Sequence, residues 1–414
     1  QGYKLSKNIK VLNSEFHNLG AACAGSEAQG DHTAIYITAD SFLIENCKFH
    51  NDNDALDYTN IITNAIETHS HHGVVENCTF KNVKTPFIVA SQETNVEYFR
   101  AENCSVDNIE YVSYGMTDAG MEIGDVIFKN IHGTARACSQ NISLFSYQRG
   151  TGANNIETIK VEDCDIENKY ATAIANLPNA NQNRFVAISN TKNIILRRNK
   201  FKNCGSTGVY VIAIPDVTNY VDEDNKYINI GLGTALGDVI YKSFIALLPV
   251  SAGNYMKSVR IKNTEAIIDG VISLAERFAH ITCRPKNLLI DDNEVVGHAG
   301  GIYLTSSDAA SADVKTVRHK CFTNPRVLSC GASIGSEIYD LSTKRKYIKK
   351  DNNIGGGWLL EMLGSAAPTT GDYLQGDKVI NRYPAQGGAT GSIYVVMGWI
   401  CTASGSPGTW HPMR

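Results

Sequence analysis

Residues 44–51 read Ile44-Glu45-Asn46-Cys47-Lys48-Phe49-His50-Asn51, and the same pattern returns three more times along the chain. The other copies are Val75-Glu76-Asn77-Cys78-Thr79-Phe80-Lys81-Asn82, Ala101-Glu102-Asn103-Cys104-Ser105-Val106-Asp107-Asn108 and Val161-Glu162-Asp163-Cys164-Asp165-Ile166-Glu167-Asn168. Each copy has an apolar residue, then Asn or Asp followed by Cys, then a second apolar residue and a final Asn. Self-similarity of this kind is typical of a repeat architecture.

Weaker copies of the motif extend the repeat over most of the chain. They put an asparagine in the place of Asn46 at five further positions, namely Asn13, Asn130, Asn199, Asn263 and Asn293. Most successive copies lie 26–36 residues apart, and the 64 residues between Asn199 and Asn263 correspond to about two periods. This period, together with short alternating β-type segments, predicts a solenoid in which each turn carries a few strands.

The first Asn of the motif is predicted to lie where one strand bends into the next. Asn tolerates the left-handed backbone region, and we expect the amides of successive turns to bond one another inside the solenoid. Cys and Phe lie two residues apart, so the alternation of a strand buries both of them. We therefore expect a column of small buried thiols rather than a redox or metal centre.

Length, charge and cysteine content exclude several classes of protein. The 414 residues exceed the ~250–300 of a single ordinary core, so we expect several domains or one elongated repeat. With 38 Lys+Arg against 42 Asp+Glu, the chain lacks the basic surface that nucleic acid or an anionic membrane requires. The eleven cysteines form no CxxC pair, which favours free thiols in a reducing cytosol.

The periodicity fades after Arg326, and the composition changes. A basic stretch at 344–350 precedes short alternating segments that are separated by Gly and Pro turns, which predicts a small β module. Its markers are the pairs Gly371-Asp372 and Gly376-Asp377, then Met397-Gly398-Trp399-Ile400-Cys401 and Pro407-Gly408-Thr409-Trp410. We predict two domains, a solenoid over 1–325 and this module over 326–414.

The repeat resembles the right-handed parallel β-helix of the pectate-lyase type, which implies about ten turns between residue 8 and about residue 325. The C-terminal segment is similar to the end of bacteriophage and prophage tailspikes that degrade bacterial surface polysaccharide. This resemblance implies a homotrimer, with the C-terminal module serving trimerisation or capping. It also implies a virion protein assembled in the cytoplasm of the bacterial host, and an attachment part before Gln1.

Glu67 is the strongest candidate for a catalytic residue. In the segment Ala65-Ile66-Glu67-Thr68-His69, inward Ile66 and Thr68 leave Glu67 and His69 on the outer face. An apolar setting suits a carboxyl group to general-acid work. Glycoside hydrolysis needs a second carboxyl group, and the candidates are Asp54, Asp57 and Glu93, with Asp118 and Glu122 one turn further on.

Other residues of the same face are candidates for substrate binding. They are His69, Tyr36, Tyr147, Gln148 and Arg149, which offer hydrogen bonds, aromatic platforms and a cation for an acidic sugar. The cluster His69-Ser70-His71-His72 lacks an acid at HExxH spacing, so we expect no metal and no other cofactor.

These residues support three functions. The first is a tailspike depolymerase that hydrolyses glycosidic bonds of a capsular or O-antigen polysaccharide. The second is a lyase that cleaves a uronic-acid polymer by β-elimination on the same scaffold, although the calcium-binding Asp cluster of pectate lyases has no identifiable counterpart. The third is a receptor-binding adhesin without catalysis. The sequence ranks them in this order.

Overall fold

The computed structural model is all-β, and no α-helix is present in the residues that it describes. No helix among them is therefore long and apolar enough to cross a membrane. The described residues are 5–18, 33–52, 64–92, 94–118, 120–136, 143–149, 155–169, 183–215, 217–233, 242–249, 256–269, 277–283, 285–297, 301–304, 314–321, 334–340, 343–351 and 357–414.

The strands are short and follow one another along the whole described chain. The first eighteen are β1 (Ile9–Leu12), β2 (Glu15–His17), β3 (Thr33–Ile37), β4 (Ser41–Glu45), β5 (Lys48–His50), β6 (Asn64–Thr68), β7 (His72–Glu76), β8 (Thr79–Lys81), β9 (Thr85–Ser91), β10 (Val96–Ile109), β11 (Ser113–Thr117), β12 (Glu122–Ala135), β13 (Ser143–Arg149), β14 (Asn155–Glu162), β15 (Asp165–Asn168), β16 (Arg184–Ser189), β17 (Thr191–Arg197) and β18 (Lys200–Lys202). The others are β19 (Val209–Ala213), β20 (Asn219–Glu223), β21 (Lys226–Ile228), β22 (Ser243–Pro249), β23 (Met256–Lys262), β24 (Glu265–Ile267), β25 (Arg277–Ile281), β26 (Pro285–Val296), β27 (Gly301–Leu304), β28 (Val314–Cys321), β29 (Glu337–Asp340), β30 (Arg345–Lys349), β31 (Trp358–Gly364), β32 (Lys378–Asn381), β33 (Gln386–Gly387), β34 (Tyr394–Val395), β35 (Gly398–Ala403) and β36 (Thr409–Met413).

Three parallel stacks account for the strands up to β29. One stack is a separate ten-stranded sheet with the order β27-β25-β22-β19-β16-β13-β11-β9-β6-β3. The other two run from β1 through β4 and β7, and from β2 through β5 and β8, and they share the long strands β10, β12 and β26. One strand per period in each stack is an arrangement compatible with a parallel β-helix.

The bends confirm the role predicted for the first Asn of the motif. The backbone is left-handed, with φ between 50° and 57°, at seven predicted positions, namely Asn13, Asn46, Asn77, Asn103, Asn130, Asp163 and Asn263. The prediction is wrong at Asn199 and Asn293, because the preceding residues Arg198 and Asp292 form the bend, with φ of 54° and 50°. In both segments the Asn directly follows the bend residue, and it is buried at the position that Cys occupies in the four strong copies of the motif.

The internal hydrogen bonds belong to a different asparagine from the one predicted. The bend amides can bond between successive copies of the motif, since Asn130 Nδ2 donates to Asn103 Oδ1 at 2.8 Å. Most bend residues are exposed, however, so the expectation that these bonds lie inside the solenoid is wrong. Buried asparagines stack instead at the last position of the motif. Asn51 and Asn82 each donate through Nδ2 to the other's carbonyl oxygen at 2.8 Å, and Asn108 donates to Asn82 Oδ1 at 2.8 Å. These bonds satisfy amides that would otherwise be costly to bury.

The cysteines of the motif form the predicted buried column. Cys47, Cys78, Cys104 and Cys164 are all buried and free. Burial raises the pKa of Cys164 to about 12, which keeps its thiol protonated and unreactive. Beside the column, the rings at the Phe position stack: Phe49 lies 5.1 Å from the Phe80 ring, with 8° between the ring planes. The column is thus buried and packed, as predicted.

Further along the chain, the buried side chain of Asp222 accepts hydrogen bonds inside the core. Asp222 Oδ2 accepts the hydroxyls of Tyr220 and Tyr227 at 2.7 and 2.6 Å, while Oδ1 accepts Asn225 Nδ2 and the Thr264 hydroxyl, both at 2.8 Å. All five side chains are buried. Burial raises the pKa of Asp222 above its usual value, although the four donors oppose that shift. Burial also raises the pKa of both tyrosines, so both hydroxyls stay donors.

Strand pairing changes in the C-terminal part of the chain. β28 and β29 still pair in parallel, whereas β30 pairs antiparallel with both β29 and β31. Further antiparallel pairs join β35 to β32 and to β36. Trp358 is buried, and Trp410 packs against the core edge-on to Tyr373. Antiparallel pairs thus begin after β29, while β31 and β32 still pair in parallel, and the predicted domain boundary at 325 stays a prediction.

Replacing Asp222 by Ala should destabilise the fold strongly, because four buried donors would lose their acceptor. We expect the free energy of unfolding to fall by about 3 kcal/mol or more in urea denaturation. The matched control is Asp165→Ala, which removes an exposed carboxylate paired with Lys200 at 2.9 Å. That change should cost less than about 1 kcal/mol. Equal losses in the two variants would contradict the structural role of Asp222.

The raised pKa of Asp222 also predicts a pH dependence. Between the unfolded value near 3.8 and the higher folded value, the folded state holds the proton that the unfolded state has released. The stability that Asp222 contributes is therefore greatest below the unfolded pKa and falls as the pH rises through the folded pKa. The free energy of unfolding is measured for the unchanged chain and for Asp222→Asn at each pH from acid to neutral. The difference between the two values isolates this fall. A difference that rises with pH would contradict it.

Candidate functional site

The outer face of the ten-stranded sheet carries one continuous row of side chains. Strand register joins ten residues across the sheet, one from each strand, and we call them the outer row: Tyr36, Glu67, Ile88, Tyr114, Ser146, Ala187, Tyr210, Ala246, His280 and Tyr303. Their neighbours along each strand, such as Ile66, Val211 and Leu247, belong to the hydrophobic core. The row therefore faces away from the core.

Tyrosine occupies every third place of the outer row. Tyr36, Tyr114, Tyr210 and Tyr303 stand on the first, fourth, seventh and tenth strands of the sheet. Tyr36 is 54% exposed, and the other three are partly exposed. Because parallel strands lie ~4.8 Å apart, successive tyrosines are separated by about 14 Å along the row.

Glu67 and His69 form a buried pair beside Tyr36. Glu67 Oε1 lies 3.2 Å from His69 Nε2, and Glu67 Oε2 accepts the Thr33 hydroxyl at 3.0 Å. The Tyr36 ring packs on the His69 ring with 4.7 Å between centroids. His69 Nδ1 is buried and has no hydrogen-bond partner in the described part of the chain. The pair thus offers one carboxyl group and one unused imidazole nitrogen.

Glu67 and His69 lie on the outer parity that the sequence predicts, Glu67 within β6 and His69 just after it. Both are buried, with Glu67 only 5% and His69 only 1% exposed. The partners of Glu67 among the described residues are Thr33 and His69, not a second carboxylate. The structure therefore positions one carboxyl group and leaves it nearly closed to solvent.

Three predicted catalytic residues, Asp54, Asp57 and Glu93, lie outside the described residues. Gln148 and Arg149 lie at the end of β13, where Arg149 pairs in register with Met116. The structure does not describe the side chains of Gln148 and Arg149, so the roles predicted for these five residues stay predictions.

The prediction that Tyr147 offers an aromatic platform on this face is wrong. Tyr147 is fully buried in the core, and its hydroxyl lies 2.8 Å from Ser113 Oγ. The reason is strand parity: Ser146 belongs to the outer row, so Tyr147 points inward. Gly115 makes room for the ring, because a Cβ atom there would lie 2.3 Å from it. Burial raises the pKa of Tyr147 well above its usual value.

Two arginines stack on tyrosines of the outer row. The Arg184 guanidinium carbon lies 3.7 Å from the centroid of the Tyr210 ring, and that of Arg277 lies 4.4 Å from the Tyr303 centroid. Arg277 Nη1 also donates to His280 Nδ1 at 2.7 Å, and the His280 ring packs on Tyr303 at 4.7 Å. Each pair combines an aromatic face with a cation, a combination that binds polar rings and anions.

The histidines that raised the question of zinc have separate partners. His71 Nδ1 lies 3.5 Å from Asp40, and His72 Nε2 lies 3.3 Å from Glu97. His69 faces Glu67, as described above. The three imidazoles therefore form no common ligand set.

Another group in the described residues does bring metal-type ligand atoms together. One atom each of His17, His50 and Asp52 lie within 4.8 Å of one another. His17 Nε2 pairs with Asp52 at 2.7 Å, and His50 Nε2 pairs with Glu15 at 2.7 Å. These imidazoles hold the pKa of Asp52 and of Glu15 below their usual values. Ion pairs between successive turns account for the cluster.

No protein-family model, curated protein or solved structure matches this chain.

The sequence prediction missed most of the outer row. Tyr114, Tyr210, Tyr303, Arg184 and Arg277 were not candidates. A signal was present for two of the tyrosines, because each stands alone between apolar residues, as in Val209-Tyr210-Val211 and Ile302-Tyr303-Leu304. The stacked arginines had no such signal, since they reach their tyrosines from a neighbouring strand.

Replacing Tyr147 by Phe should lower stability, because the buried Ser113 hydroxyl loses its partner. We expect a loss of about 1 kcal/mol in the free energy of unfolding. The control, Tyr303→Phe, keeps the ring contacts on the outer face and should change stability by less than about 0.5 kcal/mol. If Tyr147→Phe is as stable as the unchanged chain, the buried hydrogen bond has no structural role.

Proposed function

We propose that this chain is a bacteriophage tailspike depolymerase that hydrolyses glycosidic bonds in a bacterial capsular or O-antigen polysaccharide. The observation that carries the proposal is the outer row, an aromatic-lined face that crosses ten parallel strands. An extended polymer fits such a face, because partly exposed rings recur along it while the residues between them are small or buried. A compact ligand would contact only a part of the row.

The proposed scaffold is a right-handed parallel β-helix of about ten turns. Ten strands in the separate sheet support that number, since each turn contributes one of them. Right-handedness follows from the strong chiral preference of crossovers between parallel strands. The C-terminal module, the homotrimer and the place in the virion belong to the same proposal and rest on the sequence resemblance.

Glu67 is the proposed general acid. A carboxylic acid that protonates the leaving oxygen must be held in one orientation, and the Thr33 hydroxyl and His69 hold both oxygens of Glu67. Because the Tyr36 ring packs on His69, a shift of this exposed ring would open the pair to a bound chain. The second carboxyl group of the mechanism is assigned to Asp54, Asp57 or Glu93, with a neighbouring subunit as the other source.

The stacked arginines favour one second candidate, a polysaccharide lyase. Arg184 and Arg277 suit a polymer of uronic acids, whose carboxylates they would neutralise. β-Elimination needs that neutralisation and a base at the same sugar, so the base of this candidate would lie near the arginines, four or more strands away from the Glu67–His69 pair. The two reactions differ in their products.

Product analysis tests the proposal. The chain is incubated with a panel of purified capsular and O-antigen polysaccharides. Hydrolysis creates new reducing ends without ultraviolet absorption, whereas elimination creates an unsaturated uronic end that absorbs. Binding without either product indicates an adhesin and contradicts the depolymerase.

Glu67→Gln should lower the cleavage rate at least about a hundredfold, because the amide cannot donate the catalytic proton. The matched control is Glu97→Gln, in which the same change affects an exposed carboxylate paired with His72. That variant should cleave at the unchanged rate. Both should keep the thermal midpoint and assembly size of the unchanged chain, and full activity in Glu67→Gln removes Glu67 from the mechanism.

A further inference from the structure

We propose that the outer row recognises a linear acidic polysaccharide whose repeating unit advances about 14 Å, the length of three strand spacings, and carries one carboxylate per repeat. This inference rests on the proposed function in one respect, namely that the ligand of this face is a polysaccharide. It does not require that the chain cleave its ligand.

The first support is that the regular spacing of the tyrosines exists only on the sheet. In the sequence, the intervals between Tyr36, Tyr114, Tyr210 and Tyr303 are unequal, at 78, 96 and 93 residues. In the outer row each interval is three strands. A ligand that lies along the outer row contacts one tyrosine ring about every 14 Å.

The second support is the difference between the tyrosines and the residues that separate them. Ala187 and Ala246 are fully buried and small, and Ser146 is small as well. Ala187 and Ala246 therefore leave the Tyr210 ring as a separate platform, whereas the larger Glu67 and Ile88 stand between Tyr36 and Tyr114 and the His280 ring packs on Tyr303. The core does not require these rings, because the row lies on the opposite face of the sheet from the core residues. Platforms set apart in this way suit a polymer in which one ring per repeat stacks.

The third support is that an arginine accompanies the tyrosine at two places of the outer row. Arg184 lies on β16, next to the β19 strand of Tyr210, and Arg277 lies on β25, next to the β27 strand of Tyr303. Each arginine stacks on its neighbouring tyrosine. From β16 to β25 there are again three strand spacings. The same unit of tyrosine and arginine therefore occurs twice at the distance that separates the tyrosines.

The chemistry of that unit selects an acidic sugar. A guanidinium placed over an aromatic ring still has N–H groups at its edge, and these suit bidentate binding of a carboxylate. Arg277 uses Nη1 for His280 and makes no ion pair within the described residues. Arg277 is partly exposed and Arg184 is only 6% exposed, and the two lie one period apart, the spacing that a polymer with one carboxylate in each repeat presents.

The test uses the Glu67→Gln chain, so that binding is measured without cleavage. The probes are the purified polysaccharides of the panel, each in native form and after chemical reduction of its carboxyl groups to alcohols. We expect the tightest native ligand to be acidic, and its reduction to weaken binding at least tenfold. Arg277→Gln should weaken binding of the native polymer to a similar degree and leave binding of the reduced polymer unchanged.

The tyrosines are tested in the same background. Tyr210→Ala and Tyr303→Ala should each weaken binding about fivefold or more, while Tyr383→Ala, at an exposed tyrosine of the C-terminal region, should not. Oligosaccharides of increasing length, prepared from the same polymer, should gain affinity in steps of one repeat, because each added repeat reaches one more tyrosine. If affinity instead rises smoothly with oligosaccharide length, the polymer repeat does not match the tyrosine spacing of the outer row, and the inference is overturned.

The outcomes separate this inference from the proposed function. Cleavage of a neutral polymer, or unchanged affinity after carboxyl reduction, overturns the inference and leaves the hydrolase standing. Repeat-stepped binding of an acidic polymer without cleavage supports the inference and contradicts the hydrolase. Binding to no member of the panel overturns both.

Discussion

Backbone hydrogen bonding between parallel strands is the constraint on which the rest of this structure depends. Neighbouring parallel strands must keep their register, so each period contributes strands of matching length. Periods of different length therefore differ in the connections between their strands. The chain turns from one stack to the next through a left-handed residue, which explains the recurrence of Asn and Asp at the bends. Where Arg198 takes that place, its side chain pairs with Asp163 of the preceding copy at 2.7 Å.

The same constraint brings polar groups into the core. The buried amides of Asn82 and Asn108 bond along their stack, and the Asp222 carboxylate collects four donors. Such groups stabilise only when every member is satisfied, since an unmade bond in the interior costs more than a made one contributes. The core thus combines apolar columns, such as Phe49 on Phe80, with hydrogen-bonded polar columns.

Register also generates the candidate site. Ten strands that keep the same alignment bring Tyr36 and Tyr303 into one row, although 267 residues separate them in the chain. Glu67 has a fixed place in that row, immediately beside Tyr36. In the proposed function, the tyrosines would determine which linkage of each repeat lies at Glu67, so the same register would serve binding and cleavage. The buried pair of Glu67 and His69 lies at one end of the row, and the stacked arginines lie towards the other.

The sequence by itself determined the repeat, the parallel stacking, the left-handed bends and the buried thiol column, because each depends on local alternation and on residues with unusual backbone preferences. It also placed Glu67 and His69 on the outer face, since period two follows from Ile66 and Thr68. Only the tertiary structure decided that Tyr147 points inward, that Asn199 replaces a cysteine, and that four tyrosines and two arginines share one period. Those facts depend on the register between strands far apart in the chain, and register is set by packing across the whole sheet rather than by any local pattern.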